Sequence, residues 1–452
     1  YQDVEDRRFH AQPNACPQCG PRLELVDGAG VAIEGDPIGE AAKLLRRGHV
    51  VAVKGLGGYH LACDARNELA VARLRARKQR YAKPFAVMAA SLEQAEQIGH
   101  LRDHDCDLLL SPARPIVLVR RRASDPVARS VAPHTPLVGL LLPYTPLHHL
   151  LLAAFAGPLV MTSGNVSDEP MCTADEDALR ALGGRIAEAV LRHDRVIAAR
   201  CDDSIARVLD GRPVLLRRAR GHVPESMAVP RAFERPVLAC GAHLKNTFCL
   251  GEHHLAWMGP HVGDLETDEA CAGFEREVER FSRFVGIEPE VVAHDWHPDY
   301  FTTRWASSRI DCTRVGVQHH HAHVASAMAE HALEGPVLGL AWDGTGDGGD
   351  GSAWGGELLA ADYAGFRRVA TLRPVRLAGG DAAIREVWRI ALALLDDAFD
   401  GDPPLGALRL FHSIDAGRVA VVRRMVASGL HAPPAHGVGR YFDAVGSILL
   451  GA

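Results

Sequence analysis

The densest run of chemistry-bearing side chains is His319-His320-His321-Ala322-His323. His319 and His323 stand four apart, so on a helix their imidazoles project from one face and can chelate a single cation. A helix is expected over Val324–Leu333, directly after them. Asp343 closes the strand-like run Val337–Trp342 and could complete a site of two imidazoles and one carboxylate, a donor set that suits zinc or iron alike. The competing reading is a histidine-rich helix start with its rings in solvent. A zinc protease is excluded, because that chemistry needs Glu directly after the first histidine and His320 stands there. The acidic glycine-rich stretch from Asp343 to Gly351 is no EF-hand, since its twelfth position is Trp354.

A second concentration is cationic. The strand expected at Val50–Val53 ends in Lys54-Gly55-Leu56-Gly57-Gly58-Tyr59-His60, where glycines let backbone N–H groups approach a ligand, although such a loop is more often only a turn. Asn67–Arg80 reads as a basic helix carrying Arg73, Arg75, Arg77, Lys78 and Arg80, running into Lys83 and a further strand. These charges are nearly unopposed by acids, which points to an anionic ligand. The strand expected at Pro158–Thr162 runs into Ser163-Gly164-Asn165, whose hydroxyl and amide can donate to phosphate or carbonyl oxygens. Pro213–Arg220 brings Arg217, Arg218 and Arg220 to one more strand mouth. Strand ends of this kind predict a basic cavity over a mixed α/β sheet, sized for a nucleotide or a phosphorylated metabolite. Val237–Leu250 reads as two short strands around a turn holding Lys245 and Asn246, a hairpin able to wrap phosphates.

The elements that position these groups belong to a chain of 452 residues, which at about 150 residues per domain predicts two or three domains. Hydrophobic residues at 47% and charged residues at 23% exclude disordered, collagen-like and coiled-coil chains. With 50 basic and 56 acidic residues the net charge is −6, so the global field needed to gather nucleic acid is missing and no nucleic-acid partner is expected. The longest apolar candidate, Val138–Ala156, is broken by Pro143 and Pro146; no membrane partner and a cytoplasmic location are expected. Ten cysteines are too dilute for a disulfide framework. Cys16-Pro17-Gln18-Cys19 is half of a zinc knuckle or a chance pair, because a closed structural site needs four ligands. The missing pair is expected upstream, and the apolar helical pattern Gly439–Leu450 stops without a polar tail, so the chain is expected to be cut at both ends. The expected fold class is α/β (α+β): a zinc-finger remnant at 1–30, a mixed twisted-sheet domain at 31–228 and a second domain at 229–452, incomplete at its C-terminus.

The segments KGLGGYHLACDA, RKQRYAKP, TSGN and LLRRARG resemble the YrdC family, which forms carbamoyl-type adenylates from ATP. That resemblance implies that Lys78, Arg80, Lys83, Ser163, Asn165 and Arg218 face the nucleotide phosphates and the acyl group, with Lys54 and Tyr59 beside them. Lys54-Gly55-Leu56-Gly57-Gly58-Tyr59 stands where stand-alone members carry a Thr-rich strand end, a departure that indicates a specialised subgroup. VQHHHAHVASAMAEH and DGTGDGGDGSAWGGE resemble the TsaD-like carbamoyltransferases, with an actin-type ATPase core. The implication is that His319, His323 and Asp343 ligate a divalent metal, and that Lys245, Asn246, Gly344, Thr345, Gly346, Gly356, Glu357, Gly380 and Asp381 line a nucleotide.

Both domains in this order, behind RRFHAQPNACPQCGPRL, are similar to the HypF family of [NiFe]-hydrogenase maturation carbamoyltransferases. The resemblance implies catalytic roles for Lys78, Arg80, His319, His323 and Asp343, and a structural zinc in the full-length protein at Cys16 and Cys19. It implies a path from carbamoyl phosphate to carbamate, then with magnesium and ATP to carbamoyl-adenylate and pyrophosphate, then to the C-terminal cysteine of a HypE-type maturation protein. Carbamate and its adenylate hydrolyse readily, so a fused chain spares the intermediate from free diffusion. The alternatives are an antibiotic O-carbamoyltransferase, a tRNA-modifying threonylcarbamoyl pathway, and a non-catalytic nucleotide-binding module.

Overall fold

The computed structural model describes residues 4–5, 20–166 and 169–451. Cys16 and Cys19 lie outside the described residues. Among these, the chain divides into two compact units whose sequence segments interleave. The first comprises residues up to Ser226 with Leu244–Phe248 and Trp257–Val285; the second comprises Met227–His243, Cys249–Ala256 and the chain from Gly286 onward. Segments 244–248 and 257–285, expected in the second domain, therefore pack with the first.

The first unit is built on a sheet of eleven strands among the described residues. Its central strands are Ala189–His193, Val51–Lys54, Tyr59–Asp64, Leu159–Ser163, Ala86–Met88, Leu137–Leu141 and Ile116–Arg121, adjacent in that order. Successive residues of Val51–Lys54 are all buried, because both faces of the sheet are covered. Val50 and Ala52 pack into one apolar cluster, Val51 and Val53 into the other. Strands of this kind read as continuous apolar runs instead of alternating ones. The helix Pro37–Arg46 forms where expected: Asp36 accepts from the Gly39 N–H at 2.9 Å, Pro37 fixes the first turn, and Ala41, Ala42 and Leu45 are buried.

The basic helix is shorter than its charge pattern predicts. It spans Glu68–Arg77, starts at an Asn67 cap and buries Ala70, Val71 and Leu74. Gln79 then adopts φ +54°, which ends the helix and releases Arg80 and Lys83 into a loop. Arg75 holds that loop from inside. Its guanidinium donates to the carbonyls of Arg80 (2.5 Å), Lys83 (3.1 Å) and Ser130 (2.6 Å) and lies over the Phe85 ring.

The second unit holds a four-stranded sheet, ordered Cys249–Met258, Met227–Ala239, Val291–Asp295 and Thr313–Val317. A five-stranded sheet is led by the antiparallel pair Val337–Asp347 and Ala353–Ala361. The helix expected over Val324–Leu333 begins earlier and spans His319–Glu330. Gln318 caps it, its side-chain oxygen accepting from the His321 N–H at 2.9 Å, so the histidines occupy the first turns. Among the described residues no helix is long and apolar enough to cross a membrane. The stretch 138–156 instead contributes to the strand Leu137–Leu141 and the helix Pro146–Phe155.

Candidate functional site

Two sites emerge, one in each unit. The first is a cavity of about 410 Å³ whose lining includes Arg80, Lys83, Thr162, Ser163, Asn165 and Arg217. Lys78 lies directly behind the Ser163–Asn165 turn and is only 2% exposed. Its ammonium donates to the Ser163 carbonyl (2.7 Å), the Asn165 carbonyl (2.6 Å) and Asn165 Oδ1 (2.5 Å). Ser163 Oγ also donates to Asn165 Oδ1 at 2.8 Å. Burial, reinforced by the positive charges of Arg80 and Lys83, pushes the Lys78 ammonium down to about 7. Arg80 donates to Thr162 Oγ1 at 3.3 Å and the Pro84 carbonyl at 2.6 Å; burial and then Arg75 and Arg217 bring it to about 10. Lys83 is likewise lowered, by burial and then by Arg80. Glu169, Asp202, Asp203 and Asp264 line the cavity as well, and the crowded cations on its wall are of the kind that suits an anionic ligand.

The Lys78 shift makes a stability prediction. Between about 7 and the ordinary lysine value the unfolded chain binds the proton that the folded chain has released, so stability rises with pH across that window. Lys78→Met removes this slope. Denaturant titrations of both proteins from pH 7 to 10 measure the difference; parallel pH profiles reject the assignment.

The second site is at the start of the histidine helix. His319 Nε2 lies 3.1 Å from Asp343 Oδ2, and His323 Nε2 lies 4.0 Å from the same oxygen. One donor atom from each residue falls within 4.8 Å of the others, close enough for all three to meet one ion. The donor set fits a divalent metal, as two imidazoles and a carboxylate suit zinc or iron. Behind it, His319 Nδ1 and Asp295 Oδ2 are 2.6 Å apart. The carboxylate fixes the ring and leaves Nε2 to face the ion. Burial opposes charge on His319, but its bonds to Asp295 and Asp343 outweigh it and raise the group to about 9. Gly346 makes room for this arrangement, since a Cβ there meets His320 Cε1 at 2.7 Å and the His319 ring at 3.0 Å.

Comparisons with known proteins match successive parts of the chain. Residues 43–219 match the Sua5/YciO/YrdC family, described as "Telomere recombination", and residues 1–26 match the "HypF finger". Residues 232–330 match the "HypF Kae1-like domain", and 339–452 the "Carbamoyltransferase, Kae1-like Domain, second subdomain". Carbamoyltransferase HypF of Rhodobacter capsulatus is 45% identical over 457 residues, 99% of this chain and 60% of that protein. A crystal structure of full-length HypF in the phosphate- and nucleotide-bound form superposes with a TM-score of 0.93 at 40% identity, over 99% of this chain and 58% of that one. The chain belongs to the HypF family. Carbamoyltransferase HypF2 of Cupriavidus necator is 45% identical over 94% of the chain and 55% of its own length. This chain thus spans somewhat over half the length of the curated HypF proteins it matches. The fold is the expected mixed α/β one, a YrdC-like domain followed by Kae1/TsaD-like HypF domains.

Several of the expected nucleotide residues of this chain lie elsewhere. Arg217, not Arg218, lines the cavity; Arg218 donates to the Glu225 carbonyl at 3.2 Å. Neighbours at a strand end point to opposite faces, and sequence alone does not say which is inward. Lys54 and Tyr59 converge instead on Asp175, at 2.5 and 2.7 Å. Burial favours a neutral Asp175, yet these two donors outweigh it and keep its carboxyl below the ordinary range. The nearby glycines serve packing, for a Cβ on Gly57 meets Cys201 at 2.4 Å and one on Gly58 meets Met171 at 2.4 Å.

Lys245, expected with the second domain's nucleotide, lines the first unit's cavity beside His261 and Asp264. Its backbone takes φ +49°, and its N–H donates to Asp264 Oδ1 at 2.6 Å. Asn246 is buried, its N–H bonded to the Gly263 carbonyl at 2.8 Å. Glu357 is fully buried and ion-paired to Arg368 at 2.7 Å, so it braces the sheet instead of facing a ligand. Gly356 packs under the His436 carbonyl, and Gly344 donates its N–H to Asp343 Oδ1 at 2.6 Å. Thr345 is exposed between Gly344 and Gly346. Gly380, at φ +57°, caps the short helix that Asp381 opens. Arg200, His261 and Asp295 complete the sites without having been expected there. Asp295 ends a strand one residue before Trp296, and that carboxylate strand end was its only signal.

Proposed function

We propose that this chain performs two steps of ATP-dependent carbamoyl transfer. The observation that carries the reading is the meeting, on one cavity, of Arg80 with the Ser163–Asn165 turn that Lys78 holds from behind across 85 residues of sequence, where Lys83, Arg200, Arg217 and Lys245 also line the wall. In that cavity a carboxylate oxygen of carbamate attacks the α-phosphorus of magnesium-bound ATP. A P–O bond forms, the bond to the β-phosphate oxygen breaks, and pyrophosphate leaves. Arg80, Lys83 and Arg217 neutralise the anions brought together, and the Ser163–Asn165 turn, held by Lys78, orients the reacting end.

At the second site His319, His323 and Asp343 would hold a zinc or iron ion, which when bound supplies Lewis acidity toward a carbonyl oxygen. Asp295 holds the His319 ring in place. The acceptor proposed is the C-terminal cysteine of a HypE-type maturation protein: its sulfur attacks the carbamoyl carbon of the adenylate, the thiol proton is lost and AMP departs. Carbamoyl phosphate is the proposed source of carbamate in the full-length protein, with a structural zinc at Cys16 and Cys19. Eight free cysteines among the described residues suit a reducing cytoplasm.

The test is exchange of radiolabelled pyrophosphate into ATP, with freshly dissolved ammonium carbamate supplied to the chain. Carbamate-dependent exchange is the expected result. ATP binding without any exchange overturns the enzyme reading in favour of a nucleotide-binding module.

A further inference from the structure

One end of the first unit's cavity is built from groups that the adenylation chemistry above leaves unused. His60 sits on the strand Tyr59–Asp64 directly opposite Ser163 in the antiparallel register. Cross-strand partners share a face, so the imidazole stands beside the Ser163–Asn165 turn. It lines the cavity at 5% exposure. We propose that His60, locked between Ser163 and the Asp203–Tyr144–Arg220 cluster, sets the size of the acid that is adenylated, admitting unsubstituted carbamate and excluding N-substituted carbamates. The proposal rests on the adenylate-forming reading and deepens it.

The ring has little freedom. His60 Nε2 is 3.5 Å from Asp203 Oδ2 and 3.3 Å from the Tyr144 hydroxyl. Asp203 is gripped by Arg220 through Nε (3.1 Å) and Nη2 (2.9 Å). Arg220 is itself fixed, lying 3.5 Å over the Tyr144 ring and donating to the carbonyls of Ala113 and Arg114 at 2.8 and 2.9 Å. His148, fully buried, packs edge-on against both His60 and Tyr144. Behind the ring there is no slack: a Cβ on Gly55 meets His60 Cε1 at 2.7 Å.

Charge decides which part of the substrates lies here. Arg80, Lys83, Arg217, Lys245 and His261 line the cavity close together, and the carboxylates beside them, Asp202 and Asp264, leave a surplus of cations there, so they mark the end that receives the triphosphate. At the His60 end the anionic Asp203 is already matched by Arg220, and a polyphosphate gains nothing there. The acid therefore lies between the Ser163 turn and the imidazole. A planar one-carbon acid fits against a rigid ring, whereas a carbamate bearing an alkyl group on nitrogen has to displace it, and rigid sites reject added bulk strongly.

Pyrophosphate exchange with the whole chain tests this, comparing ammonium carbamate with N-carboxyglycine formed from glycine and bicarbonate. The unaltered protein is expected to use carbamate. In His60→Ala the KM for carbamate is expected to rise about tenfold or more, and the activity ratio of N-carboxyglycine to carbamate to rise by a similar factor. The KM for ATP stays within about twofold, since the phosphate end is intact. If His60→Ala loses its cooperative melting transition, His60→Asn is read instead, with the same shifts expected in smaller measure. An unchanged substrate ratio and unchanged carbamate KM, with exchange intact, overturn this inference alone. No exchange in the unaltered chain overturns the adenylate reading together with it.

Discussion

Arg80→Ala is expected to lower carbamate-dependent pyrophosphate exchange by about 10²–10³-fold, the usual loss when a preorganised charge-stabilising donor is removed from an enclosed site. The side chain is aimed by its surroundings: Gln79 turns the backbone, Thr162 and the Pro84 carbonyl accept from the guanidinium, and the Phe85 ring lies 5.1 Å beneath it. Its partners are one hydroxyl and exposed-side carbonyls, so the variant should keep nearly the melting temperature of the parent. Lys78→Ala is a poorer probe, because it strips a donor from three part-buried acceptors and costs stability as well as rate. Arg80→Lys restores charge without the planar fork and should recover only part of the loss. Exchange within about threefold of the parent in Arg80→Ala would remove this cavity from the adenylation step.

His319→Ala is expected to abolish stoichiometric metal binding, measured by elemental analysis after dialysis, and with it transfer to an acceptor thiol. Pyrophosphate exchange should remain, because the adenylating groups lie in the other unit. Asp295→Asn keeps the donor set but loosens the ring behind it; its metal affinity should fall by about 10–100-fold, the range seen when an outer carboxylate is lost. Full metal content in His319→Ala, or simultaneous loss of exchange and transfer, contradicts the assignment.

The sequence was most informative where chemistry coincides with local spacing. His319, His323 and Asp343 meet because helical spacing and a strand end are both readable from residue order. The place of Ser163 and Asn165 on the cavity was also legible, since a small polar turn after an apolar strand has few other uses, whereas Lys78, expected to face the phosphates, is buried behind that turn. What failed depended on packing between distant segments. Whether Arg217 or Arg218 faces inward follows from its pairing with Ile205, and Lys54 turns to Asp175 only because the helix Asp175–Leu182 arrives beside it. Lys245 joins the first cavity through contact of its backbone with Asp264, nineteen residues along the chain and beyond any local pattern. The end of the basic helix was hidden for another reason: a left-handed glutamine carries no compositional mark.

Arg75 gives the loop from Arg80 to Lys83 a character that its surface charge conceals. A guanidinium spent on the loop's own carbonyls makes the segment part of the scaffold before any nucleotide arrives. Capture of the nucleotide should then resemble docking into a mould, with fast association and a small entropic penalty.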